Sequence, residues 1–223
     1  MKTIILLILI FNKIFVPQDG DLVFQDIDCD SVCDAIEDVT KGLCNASISH
    51  IGMVITINDS LYVLEAINEG VGLTKYSEFL SRSLDSEGKA KVMVLRLKNK
   101  YTHLIPAAIK SALRYINKPY DYFFEFNNDS LYCAELIYFA FKEANNNEEF
   151  FEAAPMTFKC LKTGLINEYW VNYFKNFGKE IPEGKVGINP ASISRSDKLN
   201  LVYIYGSFRN ENKDCLLEKM KNY

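Results

Sequence analysis

Histidine is scarce in this chain, since only His50 and His103 occur among 223 residues, so a closed structural zinc site is not expected. Clusters of basic residues are also missing and the formal net charge is −4, which disfavours nucleic acid as a partner. The apolar stretch of residues 4–11 is too short to cross a bilayer. We therefore expect neither a nucleic-acid-binding protein nor a stable membrane span.

The N-terminus has the pattern of a secretory leader. Lys2 precedes the apolar stretch, whose length suits a signal-peptide core, although Lys13 follows it and a small-residue cleavage motif is missing. A buried first strand or helix is the alternative. We predict a signal peptide over residues 1–16 and a single domain over residues 17–223, exported to the periplasm or to the outside of the cell.

The chain has six cysteines, which suits an exported protein with some disulfides, although a domain of this length does not need them. Their spacings match no zinc pattern. Besides Cys133, the cysteines whose pairing the sequence leaves open are Cys29, Cys33, Cys44, Cys160 and Cys215.

The pattern of apolar residues predicts an α+β fold with an antiparallel sheet. Residues 47–57 alternate as in a half-buried strand, and residues 61–67 form a second strand after an Asn-Asp-Ser turn, which predicts a hairpin. The other predicted strands cover 20–25, 90–98 and about 200–208, and the predicted helices cover 28–43 (closed by Gly42), 75–84, 102–116 and 131–144.

Cys133 lies at the start of the last of these helices. Asp129 and Ser130 are good N-cap residues, and either one places Cys133 in the first helical turn. The unpaired N–H groups there stabilise a thiolate and could receive a developing oxyanion. The alternative is a buried cysteine in the core, because the helix that follows is strongly apolar.

A nucleophilic cysteine needs a base, and His50 is the better candidate. His103 opens an amphipathic helix and is expected on the surface, whereas His50 lies within the first hairpin strand. A turn of two residues places Glu65 opposite Gly52, diagonal to His50 and on the same face, where a carboxylate would orient the imidazole. An odd-length loop would instead send Glu65 to the other face, as a solvent-exposed edge residue.

Tyr120 follows a proline and precedes Cys133 by a short segment. A phenol pointing into the site would donate a hydrogen bond to an oxyanion. The alternatives are an aromatic packing role for Tyr120, or Tyr122 in its place.

Taken together, these residues resemble the permuted papain-like amidases, the branch of the NlpC/P60 hydrolases that includes the YaeF and YiiX proteins (peptidase family C92). The segments that carry the resemblance are "QDGDLVFQ", "SISHIGMVI", "LEAINEGV", "NKPYDYFFEFNNDSLYCAELI" and the closing "GKVGINPASISRSDKLNLVY". The resemblance implies a circularly permuted papain-like fold with Cys133 as nucleophile, His50 as base, Glu65 as the residue that orients it, and Tyr120 at the oxyanion. One departure is Ala134, where the family pattern leads us to expect serine.

The resulting expectation is a cysteine hydrolase that cleaves amide bonds in cell-wall peptides or amide-linked acyl substrates through a thioester, without a metal or an organic cofactor. One alternative is a lipid acyltransferase or esterase of the same superfamily. Another is a non-catalytic protein that binds peptides in the same groove. A metal site at His50, Glu65 and Cys133 has no other support, and the oligomeric state cannot be read from the sequence.

Overall fold

The computed structural model describes residues 15–28, 30–126 and 128–221. The predicted signal peptide at residues 1–16 therefore lies almost wholly outside the described residues. Within the described part of the chain, no helix is both long and apolar enough to cross a membrane.

A mixed fold of helices and antiparallel strands surrounds one main sheet. Its six strands lie in the order β4-β3-β2-β1-β5-β8, and each neighbouring pair is antiparallel. These strands are β1 (Leu22–Gln25), β2 (His50–Ile57), β3 (Ser60–Ile67), β4 (Gly70–Lys75), β5 (Val92–Leu97) and β8 (Leu199–Ile204). A small second sheet pairs β6 (Ala154–Pro155) with β7 (Val186–Gly187). The predicted α+β class is confirmed.

Seven helices pack around the sheet in the described part of the chain: α1 (Asp30–Asp38), α2 (Tyr76–Ser81), α3 (Ile105–Arg114), α4 (Cys133–Ala144), α5 (Glu168–Asn176), α6 (Pro190–Ser194) and α7 (Lys213–Lys221). The main core lies between one face of the sheet and α3 with α4, where the buried side chains include Phe24, Met53, Leu64 and Ile137. The opposite face carries a smaller cluster with Val54, Val63 and Phe79.

The β2–β3 hairpin has the register that a two-residue turn requires. Asn58 and Asp59 have φ angles of 48° and 60°, the left-handed conformation that both central residues of a type I′ turn adopt. Ile57 consequently pairs with Ser60, and Met53 pairs with Leu64. The predicted hairpin and its register are confirmed.

The helix ends differ from those predicted. Helix α1 stops at Asp38 because the β-branched residues Val39 and Thr40 have a lower helix propensity. Gly42, predicted to close this helix, belongs to the next turn, where its N–H donates to the carbonyl of Ala46. Helix α4 starts at Cys133, so the prediction of an N-cap at Asp129 or Ser130 is wrong: the N-cap is Tyr132, without a side-chain capping bond.

Helix α4 starts late because the chain before it is already paired. The Leu131 N–H bonds to the carbonyl of Pro119, and the Leu131 carbonyl accepts the N–H of Asp121. This short parallel bridge keeps Leu131 extended, so the helix begins only after it. The remaining predicted elements are present with ends that differ by up to four residues, and β3 begins one residue earlier than predicted.

Candidate active site

The thiol of Cys133 lies at the N-terminus of α4. Cys133 is a free cysteine, 5% exposed, and it is the first residue of the helix. Because Tyr132 makes no side-chain capping bond, no side chain caps the first turn beside the thiol. The hydroxyl of Tyr132 instead accepts the N–H of Ile188 at 3.1 Å, which ties the start of the helix to the chain before α6. The thiol is therefore fixed in place at the positive end of a helix dipole.

His50 lies between Cys133 and Glu65. Its Nε2 is 2.5 Å from Oε2 of Glu65, and both residues are buried. Burial by itself lowers the pKa of His50, but hydrogen bonds with Cys133 and Glu65, together with the charge of Glu65, outweigh it and raise the pKa to about 9. Because Nε2 faces Glu65, Nδ1 is the ring nitrogen left for the Cys133 thiol. An imidazole in this setting is protonated at neutral pH.

Glu65 reaches His50 because Gly52, on the same strand as His50, leaves space for its side chain. In the hairpin register Glu65 faces Gly52, and a Cβ atom at Gly52 would lie 2.3 Å from Cγ1 of Val63 and 3.3 Å from Cβ of Glu65. Burial raises the pKa of Glu65, but hydrogen bonds and charge interactions with His50 and Arg82 outweigh it and lower the pKa to about 2. Glu65 is therefore a carboxylate, as its predicted orienting role requires.

Sequence reasoning missed two further partners of Glu65. Thr74, on the neighbouring strand β4, donates its hydroxyl to Oε1 at 2.5 Å. Arg82, the residue after α2, donates from both terminal nitrogens, at 3.0 Å to Oε2 and 2.6 Å to Oε1. The signal for them was indirect: a buried carboxylate requires a compensating cation and donors, although the sequence does not say which residues supply them.

Tyr120 is positioned by the bridge that precedes α4. Tyr120 pairs with Leu131 in that bridge, so its side chain lies beside the start of the helix. Burial, and next the charge of the Cys133 thiolate, raise the pKa of Tyr120 well above 10, so the phenol keeps its proton. Tyr122, the alternative, donates its hydroxyl to the carbonyl of Asn68 and is 41% exposed.

The order of these residues, with His50 before Cys133, is that of a permuted papain-like site, and comparison with known proteins agrees. The family model described as permuted papain-like amidase enzyme, YaeF/YiiX, C92 family, matches residues 16–203. The chain belongs to this amidase family.

Two relatives place the chain within the permuted amidase family. The uncharacterised protein YiiX of Escherichia coli (strain K12) is 28% identical over 195 residues, which cover 83% of this chain and 86% of YiiX. A crystal structure described as metalloprotein yiiX from Escherichia coli O157:H7 superposes with a TM-score of 0.70 at 25% identity, covering 84% of this chain and 97% of that one. The permuted papain-like fold is therefore confirmed.

The description of that relative as a metalloprotein raises the question of a metal here. Within the described ranges, no group of three or more His, Cys, Asp or Glu side chains is arranged to hold a metal ion. Both oxygens of Glu65 already accept hydrogen bonds from Thr74, Arg82 and His50. These residues do not fit a metal site, and we derive no step through a metal.

Two cavities meet at the candidate site. An apolar cavity of about 150 Å³ is lined by Cys133 and Tyr120 together with Phe124, Phe158 and Trp170. A larger and more polar cavity of about 570 Å³ reaches His50. Tyr120 lines both cavities, whereas Tyr122 lines only the polar one.

The other histidine and the remaining cysteines lie outside the site or are paired. His103 is exposed, as predicted, in the turn before α3. Cys44 and Cys215 form a disulfide that ties α7 to the segment before β2, and Cys33 is also disulfide-bonded. Cys160 is a free cysteine. Cys29 lies outside the described residues.

Proposed function

We propose that this protein is a cysteine hydrolase that cleaves amide bonds through a thioester intermediate. The observation that carries the proposal is the position of His50, whose Nε2 lies 2.5 Å from the carboxylate of Glu65 and whose imidazole also interacts with Cys133. A thiol, an imidazole and an orienting acid group in contact form the arrangement that activates a cysteine nucleophile. Membership of an amidase family supports the amide bond as the target.

The proposed reaction begins with a proton on His50 and a thiolate at Cys133. The sulfur attacks the carbonyl carbon, and the negative charge moves to the carbonyl oxygen, which accepts hydrogen bonds from the first N–H groups of α4 and from Tyr120. His50 then gives its proton to the leaving amine as the C–N bond breaks. In the second half of the reaction, His50 takes a proton from water and the resulting hydroxide attacks the thioester. The C–S bond then breaks, which releases the carboxylic acid and returns Cys133 to the thiolate.

The two cavities suit the two parts of an amide substrate, the acyl group and the amine. The apolar cavity beside Cys133 suits an acyl group with an apolar chain, since its wall includes Phe158, Trp170 and Ile188. The polar cavity reaches His50, which protonates the amine, and therefore suits the amine part. Both an amide-linked acyl substrate and a cell-wall peptide with an apolar residue fit these two cavities, and the largely apolar lining of the cavity beside Cys133 favours the first.

Mass spectrometry of the protein mixed with an N-acyl lysine amide tests this function. We expect a mass increase at Cys133 equal to the acyl group, release of free lysine amide, and neither event in Cys133→Ala. The same acyl chain offered as a phospholipid ester separates hydrolysis of amides from lipid acyl transfer. Binding of the amide without product from the wild-type protein would instead favour the non-catalytic binding protein.

We also propose that the protein acts after export. The disulfide between Cys44 and Cys215 supports this, because disulfides persist in oxidising compartments and are rare in the cytosol. Production in a bacterial host with the leader intact, followed by N-terminal sequencing of the periplasmic fraction, tests the proposal. We expect a mature chain that begins near residue 17, and a full-length chain retained in the cytosol would contradict it.

A further inference from the structure

Arg82 makes two hydrogen bonds to Glu65, whereas an ordinary surface ion pair needs only one contact. Its two terminal nitrogens each donate to a different carboxylate oxygen, at 3.0 Å and 2.6 Å, in the two-pronged geometry that guanidinium groups form with carboxylates. The Glu65 side chain is 1% exposed, whereas that of Arg82 is 25% exposed. Arg82 therefore reaches in from the rim of the polar cavity, binds Oε1 of Glu65 and shares Oε2 with His50.

The fold holds Arg82 against the same strands that carry the histidine. Arg82 follows α2, and α2 is fastened by the carbonyl of Phe79, which accepts the amide of the buried Gln25 at 2.9 Å. Gln25 lies opposite His50 in the β1–β2 register. The Phe79 ring lies 6.1 Å from the His50 ring and 5.3 Å from the guanidinium carbon of Arg82. Helix α2 thus fixes Arg82 and His50 relative to one another.

The charges of the site give Arg82 a chemical task. With Cys133 as thiolate, His50 as imidazolium and Glu65 as carboxylate, the buried group would carry one net negative charge. A buried, uncompensated charge is costly, and the carboxylate would reduce that cost by taking a proton or by turning toward solvent. Either change removes the negative charge that stabilises imidazolium. The guanidinium of Arg82 balances the charge and prevents both.

We infer that Arg82 is a positioning residue of the proposed amidase, which acts through Glu65 to keep His50 protonated and Cys133 ionised. This inference rests on the proposed function. Among the described residues, the groups that act most strongly on His50 and Glu65 are Cys133 from α4 and Arg82 from the end of α2. Tyr120 and Glu69 line the same polar cavity as His50. Strand β4 contributes the neutral Thr74, and β1 contributes the neutral Gln25.

The rate of Cys133 alkylation by iodoacetamide, measured from pH 5 to pH 10, tests this inference without a substrate. In the wild type we expect rapid alkylation already at pH 6. In Arg82→Met the imidazolium–thiolate pair is less stable relative to the neutral imidazole and thiol, so we expect alkylation at pH 6 to fall about tenfold. The rate recovers above about pH 8.5, where a thiol ionises without help. Arg82→Lys keeps the charge but not the two-pronged contact, so its alkylation rate at pH 6 should lie between those of the wild type and Arg82→Met.

The matched control is Arg96→Met. Arg96 forms a similar two-pronged contact with the buried Asp21, at 2.7 Å and 2.8 Å, and its loss should leave the alkylation profile of Cys133 unchanged. A wild-type profile in Arg82→Met, or an equal loss of rate at every pH, would overturn the inference in favour of a structural role. If Arg82→Met does not fold, the Arg82→Lys profile decides by the same criteria. If wild-type Cys133 reacts no faster than Cys160, the proposed function itself fails.

Discussion

The Nε2 atom of His50 lies 2.5 Å from Oε2 of Glu65, across two neighbouring strands of a single hairpin. A hairpin with a two-residue turn has a fixed register, so the imidazole and the carboxylate are brought together by local structure. The thiol of Cys133 comes from the distant helix α4, which packs against β2. The candidate site thus consists of a histidine–glutamate pair from one hairpin, to which a separate helix delivers the thiol.

Cys133 should be the most reactive thiol of the native protein at mildly acid pH, because His50 holds the proton that the thiol gives up. The measurement is the rate of iodoacetamide labelling at pH 6, resolved by peptide mass spectrometry. Cys160 is a stringent internal control, since backbone N–H groups of Lys162 and Thr163 lower its pKa. In Cys133→Ala, labelling should be confined to Cys160 at an unchanged rate. Faster labelling of Cys160 than of Cys133 in the wild type contradicts the prediction.

Replacement of Glu65 by Gln should lower the pKa of His50 from about 9 toward its ordinary value, because the negative charge beside the imidazole is lost. The alkaline limb of kcat/KM should move to lower pH by more than one unit, and kcat/KM near pH 7.5 should fall about 100-fold. A matched control is Glu143→Gln, since Glu143, like Glu65, accepts hydrogen bonds from a side-chain hydroxyl and an arginine, here Ser111 and Arg114. An alkaline limb that stays near pH 9 in Glu65→Gln would count against the orienting role.

Stability should depend on pH in two windows set by this pair. The pKa of His50 is raised from 6.5 to about 9 in the folded protein. Its contribution to the free energy of unfolding is therefore complete below pH 6.5 and is lost as the pH rises through 9. The pKa of Glu65 is lowered from 4.5 to about 2, so its contribution is present above pH 4.5 and is lost as the pH falls through 2.

Urea unfolding of the wild type and of His50→Gln at several pH values measures the first window. The difference in their free energies of unfolding should shrink between pH 6.5 and pH 9, by at most about 1.4 kcal/mol per pH unit. A difference that is constant across this range would show that His50 has the same proton affinity in the folded and unfolded chains.

The hairpin and the acid–base pair could be predicted because their determinants are local. The alternation of residues 47–57 predicts the faces of the strand. A two-residue turn at Asn58 and Asp59 predicts the register that the structure has, with Glu65 on the face of His50. The start of α4 could not be predicted in this way. It depends on the pairing of Leu131 with the segment of Pro119 to Asp121, and no local pattern marks that contact.

Arg82 and Thr74 were missed for a related reason. Both reach Glu65 from elements whose local patterns indicate only a short helix and an edge strand. Their importance follows from the burial of Glu65, which becomes known only when the sheet and α2 are assembled. The resemblance to a family supplied the pairing of Cys133 with His50, which periodicity alone left open.

Tyr120→Phe should lower kcat about 100-fold with little change in KM, because the lost hydroxyl bonds the oxyanion more strongly than the ground-state carbonyl. Tyr122→Phe is the matched control: it removes the same group from a neighbouring residue whose hydroxyl bonds the Asn68 carbonyl and which does not line the apolar cavity of Cys133. Thermal unfolding of both variants shows whether either change acts through stability. Equal losses of kcat in the two variants, or full activity in Tyr120→Phe, would mean that the N–H groups of α4 stabilise the oxyanion without the phenol.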